Sequence, residues 1–176
     1  MERRQFIKTT ALAGVGLLGG ASVWLAVGQD KEALTITEAL AKLELLTDKS
    51  LAHTGSWDPA KAFLHCAQSI EYSMTGYPEH KSDAFKNTLG SLAFSAFALK
   101  GAMAHGLDQP IPGAPELSMH QDLSMALAQL KKSLLDFQYY EGVLKPHFAY
   151  GELTKDEYEA AHVMHIYNHF DEIKIA

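Results

Sequence analysis

Five segments of this chain carry the start or stop chemistry of helices, and that punctuation leaves little room for a sheet-based fold. "TITEALAKLELLTDK" opens with a capping box, Thr35 to Glu38, and then sets Ile36, Leu40, Leu43 and Leu46 or Thr47 on one stripe. "SWDPAKAFLHCAQSIEYSMTG" begins with Asp58 as N-cap and Pro59 at the first helical position, and it closes at Gly76. "SDAFKNTLGSLAFSAFALKG" reads as a third, buried helix ending at Gly101. "SMHQDLSMALAQLKKSLLDFQYYEG" starts on the pair Ser118 and Gln121 and stops at Gly142. "TKDEYEAAHVMHIYNHFDEI" starts on Thr154 and Glu157 in the same arrangement. No repeat and no convincing strand is visible. The Pro- and Gly-rich stretch "HGLDQPIPGAPEL" forms a rigid loop between the third and fourth helices. Helices joined by short turns predict an all-α antiparallel bundle over residues 29–176.

Residues 1–28 are kept out of that fold. Arg3 and Arg4, with Phe6, Ile7 and Lys8, precede an uncharged run from Thr9 to Gln29, the layout of an export signal. "RRQFIK" is similar to the twin-arginine (Tat) signal, with Glu2 where that pattern has Ser or Thr. The expected location is therefore periplasmic or extracytoplasmic. The small residues Ala26 to Gly28 suit a signal peptidase, whereas a retained segment over 9–29 is long enough to anchor the chain in a membrane. Gly14, Gly16, Gly19 and Gly20 weaken the run's hydrophobicity and favour cleavage. Tat export moves proteins that are already folded.

Without residues 1–28 the chain keeps twelve Lys and Arg against twenty Asp and Glu, a balance near −8. Phosphate backbones repel such a domain, so nucleic acid is excluded as a partner. Membrane contact is expected only where the N-terminal segment is retained, and a homodimer stays open. A lone cysteine, Cys66, rules out an internal disulfide; mid-helix on an apolar side, it reads as a small core residue.

The chemistry lies in the histidines. On the last helix His165 and His169 are one turn apart, so their imidazoles can converge on one ion; His162 lies on the same side. Tyr158, Asn168 and Glu172 complete this seam, and apolar residues fill the rest of the circumference. Exposed seams usually use Lys and Glu, which form helices better than histidine. Spacing alone leaves two readings open, a metal site or a hydrogen-bonded histidine face. Two histidines on one helix hold a metal weakly, and His65, mid-helix with Gln68, Ser69 and Tyr72, is the best third ligand. His147 in "KPHFAYG" reads either as a residue at the site mouth or as a plain loop histidine. Glu172, Glu71 and Tyr72 are candidate proton acceptors or orienting groups. No haem motif, phosphate-binding glycine loop or serine elbow is present.

A histidine following "W-x-P", with H-x-x-x-H on the terminal helix, resembles the DinB/YfiT-like superfamily of metal-binding four-helix bundles. "HCAQSIEYSMTGYP", "PIPGAP" and "PHFAYGELTKDEYEAAHVMHIYNHF" more closely resemble a domain-of-unknown-function family within it, over roughly residues 34–173. The resemblance implies a divalent metal (zinc, nickel or iron) on His65, His165 and His169, with positions left for water or substrate. It also implies relatives that act as metal-dependent thiol transferases or isomerases on low-molecular-weight thiols; the reading taken for this chain is a metal-dependent hydrolase or transferase acting on a small-molecule substrate. The helix between Ser82 and Leu99, with the Pro-rich loop, is an addition to the basic four and is expected to cover the site. Export separates this chain from the cytoplasmic thiols that such transferases use. The alternative is a non-catalytic periplasmic binding or assembly module with vestigial histidines.

Overall fold

The computed structural model describes residues 34–176. The predicted Tat signal, the cleavage after Gly28 and the anchor over 9–29 lie outside the described residues.

The fold is mostly helical. Helix α1 spans Ile36–Glu44, α2 Pro59–Thr75, α3 the single turn Asp83–Phe85, α4 Ser91–Lys100, α5 Leu123–Gln138 and α6 Lys155–Phe170. Helices α1, α2, α5 and α6 share one core, in which Ile36 and Leu43 meet Phe63 and Ile70, Leu130, Leu134 and Phe137, and Tyr158, Val163 and Ile166. The Pro-rich loop and α4 cover a different side of α6, where Phe94 and Met103 pack on Ala161 and Met164.

Side-chain caps fix where the main helices begin. Asp58 Oδ1 accepts the Lys61 N–H at the head of α2, with Pro59 as its first residue. Thr154 and Glu157 exchange hydrogen bonds at the head of α6 in a complete capping box. Thr35 accepts from the Glu38 N–H, and Glu159 of α6 accepts the Ile36 N–H at 2.8 Å, so α6 secures the start of α1. Asp58 reaches further: its Oδ2 accepts the His120 N–H at 2.7 Å, tying the end of the Pro-rich loop to the head of α2.

Three sequence expectations fail for local physical reasons. A strand pair exists: Leu51–His53 (β1) runs antiparallel to Ile173–Ile175 (β2), with Ala52 opposite Lys174. Three residues per strand are too few for an alternating pattern to show. The third helix is neither continuous nor buried. A π-helical segment, Lys86–Gly90, separates α3 from α4, and only Gly90 and Phe94 of 83–100 are buried. Gly90 sits so close to the Ala149 carbonyl that no Cβ would fit, which brings the 147–151 loop onto this segment. The fourth helix starts at Asp122 rather than on the Ser118–Gln121 pair, because His120 takes a left-handed φ of 61° that no helix accepts. Asp122 caps Met125 instead, and the helix ends at Tyr139, short of Gly142.

Among the described residues no helix is long and apolar enough to cross a membrane. Leu130 is fully enclosed where α5 meets α1 and α2. Leu130→Ala is expected to lower the free energy of unfolding by about 3 kcal/mol, read from urea denaturation; a loss under about 1 kcal/mol would show that the four helices do not share one core.

Candidate metal centre

His65 lies midway along α2, and His165 and His169 occupy successive turns of α6. Packing of α6 on α2 brings the three together. One ring nitrogen from each falls within 4.8 Å of the other two. Ring centres are 5.0 Å apart for His65 and His165, 5.3 Å for His65 and His169, and 5.0 Å for His165 and His169. Imidazoles held tetrahedrally on one ion at about 2.1 Å would place their ring centres about 5 Å apart. His65 Nδ1 and His169 Nε2 are buried with no hydrogen-bond partner. Leaving such groups unpaired costs about 1–3 kcal/mol each, so their presence asks for a ligand. The residues therefore fit a divalent cation.

Electrostatics prepares the same set for binding. Burial, reinforced by the neighbouring His105 imidazole and by Lys61, lowers the pKa of His65 to about 4. Burial, then His65 and His105, lowers that of His169 to about 3. His165 is held well below its ordinary value by burial and by the surrounding imidazoles. All three are neutral at pH 7, the form in which imidazole ligates metal.

Two aromatic neighbours complete the surroundings. Trp57, just before the head of α2, stacks parallel to His169 with centres 6.2 Å apart and meets His65 edge-on at 5.0 Å. The β1–β2 pair, with the Thr54 N–H donating to the Glu172 carbonyl, delivers this segment to the end of α6. His105, in the Pro-rich loop, places its ring 4.7 Å from His165 and 5.6 Å from His169. Sequence reasoning gave neither residue a role. The signals were "W-x-P" before the α2 histidine and a histidine opening a Pro- and Gly-rich loop.

The other candidates separate by their hydrogen bonds. Ser73 Oγ donates to the Ile70 carbonyl at 2.6 Å and so receives the Nε2–H of His162 at 3.2 Å. His162 also stacks on Tyr158 and meets Phe137 edge-on. It is a satisfied core residue, not part of the compact group. His147 is buried, and its Nδ1 accepts the Ala149 and Tyr150 N–H groups at 3.1 and 3.2 Å, which puts its proton on Nε2. It lines a cavity of about 180 Å³ shared with His65, His105, His165, Lys81 and Tyr150, so the site-mouth reading applies.

Glu172 instead lies over Gly55, where a Cβ would overlap its carboxylate, and lines a surface hollow with Asp108. Glu71 accepts from Gln129 and from Ser133 Oγ, linking α2 to α5. Tyr72 packs on Tyr77. Cys66 is buried in the core with its thiol pKa pushed up by burial, as a small packing residue should be.

The chain belongs to the family described as "Protein of unknown function (DUF1569)", whose model matches residues 28–175. No curated protein and no solved structure matches it.

Burial holds His147 and His162 at pKa values of about 3, with His162 and His80 adding to the shift at His147. The folded value lies below the unfolded one of about 6.5, so the native state binds fewer protons and is favoured above that pH. Stability is then lost as pH falls from about 6.5 towards 3, at up to about 1.4 kcal/mol per pH unit for each group. Urea unfolding of metal-free protein at pH 7, 6 and 5 should show this decline, and His162→Gln should flatten it by one group's share. A slope that His162→Gln leaves unchanged would remove His162 from the titrating set.

Proposed function

We propose that this DUF1569 member is an exported metalloprotein whose His65, His165 and His169 hold one divalent cation, zinc, nickel or iron(II), for hydrolase or transferase chemistry on a small substrate. The observation that carries the reading is the convergence of three imidazole nitrogens within 4.8 Å, two of the rings presenting a buried nitrogen with no other partner. In the same reading the domain is a DinB-like antiparallel four-helix bundle. Support comes from four helices around one core, His65 following Trp57 and Pro59, and the H-x-x-x-H pair on the last long helix. Export rests on the "RRQFIK" string and the uncharged run from Thr9 to Gln29 that follows it.

A divalent ion on neutral imidazoles keeps its full charge and supplies Lewis acidity. The chain's own contribution is positional. His65 and His165 belong to both the compact group and the wall of the 180 Å³ cavity, so a small molecule in that cavity lies against two of the rings. Ile111, Met103 and Phe148 give the cavity apolar wall, while Lys81 offers a cation. Imidazole does not choose among zinc, nickel and iron.

The second reading, a non-catalytic binding or assembly module, draws on Phe85, Leu89 and Leu92, which are exposed at helical spacing.

Elemental analysis of untagged protein purified without chelator tests the choice. Near one metal per chain is expected, with His65→Ala, His165→Ala and His169→Ala each weakening affinity more than about 100-fold, beyond the effect of losing an outer hydrogen-bond partner. Folded wild-type protein that takes up no zinc, nickel or iron would favour the second reading.

A further inference from the structure

We infer that His105 is a fourth, loop-borne ligand, its Nε2 completing the shell begun by His65, His165 and His169. The inference rests on the three-histidine reading and goes beyond it, because this residue comes from the Pro-rich loop rather than from the helical core.

Four independent features of His105 point the same way. Its Nδ1 lies 2.9 Å from the Gly106 carbonyl, an oxygen that can only accept. The proton therefore sits on Nδ1, and Nε2 carries the lone pair. An imidazole that gives its far N–H to a backbone carbonyl is oriented as metal-binding histidines are. Secondly, Nε2 is sealed from solvent and has no hydrogen-bond partner, though the loop around it is partly open. A ring that needed only packing could have turned that nitrogen to water. Thirdly, its centre stands 4.7 Å from His165 and 5.6 Å from His169, beside the compact group of three but not within it, so ligation needs only that the loop move inward. Lastly, the His105 N–H donates to Asn168 Oδ1 at 3.2 Å. Asn168 immediately precedes His169 on α6, so the loop backbone is registered against the helix that supplies two ligands.

Anchorage at the far end strengthens the arrangement. Asp58 holds the His120 N–H, so the loop is tied to α2 near one end and to α6 near the other. His105, Pro110, Ile111 and Pro112 line the same cavity as His65 and His165. Ligation by His105 draws this loop onto the centre and makes it the cover of the cavity. A small molecule in the cavity would then lie between this loop and the helices that carry the other three histidines.

X-ray absorption of zinc-loaded, full-length protein counts the imidazoles directly. Four are expected in the wild type, against three imidazoles and one oxygen in His105→Gly. The variant should bind zinc at least about tenfold more weakly, the scale on which even outer-shell losses act. Free imidazole added to His105→Gly should restore the fourth nitrogen, a readout that a mere packing role would not move. Three imidazoles in the wild type, with zinc affinity unchanged in His105→Gly, would overturn the inference and leave the three-histidine centre standing. A wild type that takes up no zinc would overturn both.

Discussion

Removing several imidazoles from water while leaving their nitrogens without partners is unfavourable, and the junction of α2 with α6 does this with His65 and His169. A chain that wanted only a core there could have used leucine. The penalty is tolerable because the rings stay neutral, held down by burial to pKa values of about 4 and 3. Neutrality at low dielectric is the state that a cation converts from cost to gain, since the lone pairs then find an acceptor of electrons rather than nothing. Each surrounding element can be understood by how it keeps these rings in place.

Precision at the centre begins at the helix heads. Asp58 fixes the first turn of α2, two turns before His65, and Trp57 beside it packs against His65 and His169. The capping box of α6 fixes the rotation with which His165 and His169 emerge. Glu159, on α6 itself, then holds α1 in the core through the Ile36 N–H. The short β1–β2 pair joins the segment after α1 to the segment after α6, so the two ends of the described core close on each other beside the histidines. A centre built on helices and braced by capped termini is positioned more tightly than one built on loops.

How much of this was legible follows from range. The limits of α2 and α6 could be read because Asp58, Pro59, Gly76 and Thr154 with Glu157 are chemical stop and start marks within a few residues of one another. His65, His165 and His169 could be nominated because two of them share a helix face and the third sits on an equally narrow polar seam. The start of α5 was misplaced because His120 gives its N–H to Asp58, sixty-two residues away, and no local pattern encodes that competition. The exposure of α4 was missed because Leu92, Phe94, Phe97 and Leu99 surround it with apolar groups, while only one side has a partner helix. His105 lay in plain view at the head of a Pro-rich loop, yet loop geometry decides which way such a ring turns, and sequence holds no period for loops.

Hydrogen bonding, more than spacing, sorts the buried histidines by role. His162 and His165 share a side of α6, three residues apart, and sequence ranked His165 first only because its offset from His169 is smaller. His162 gives its Nε2 proton to Ser73, which has already given its own to the Ile70 carbonyl, so that nitrogen has a buried partner. His147 accepts two backbone N–H groups on one nitrogen, which is what a loop-ordering residue does. Against these satisfied rings stand His65, His105 and His169, each with a sealed nitrogen and nothing facing it. Burial is common to both sets and lowers the pKa values of His65 and His169 as it does those of His147 and His162. The division therefore lies in unmet bonding capacity, and two of the three unsatisfied rings, His65 and His169, join His165 in the compact group. Unsatisfied nitrogens scattered through a core would be a flaw in packing; beside one compact group of imidazoles they support the proposed metal centre.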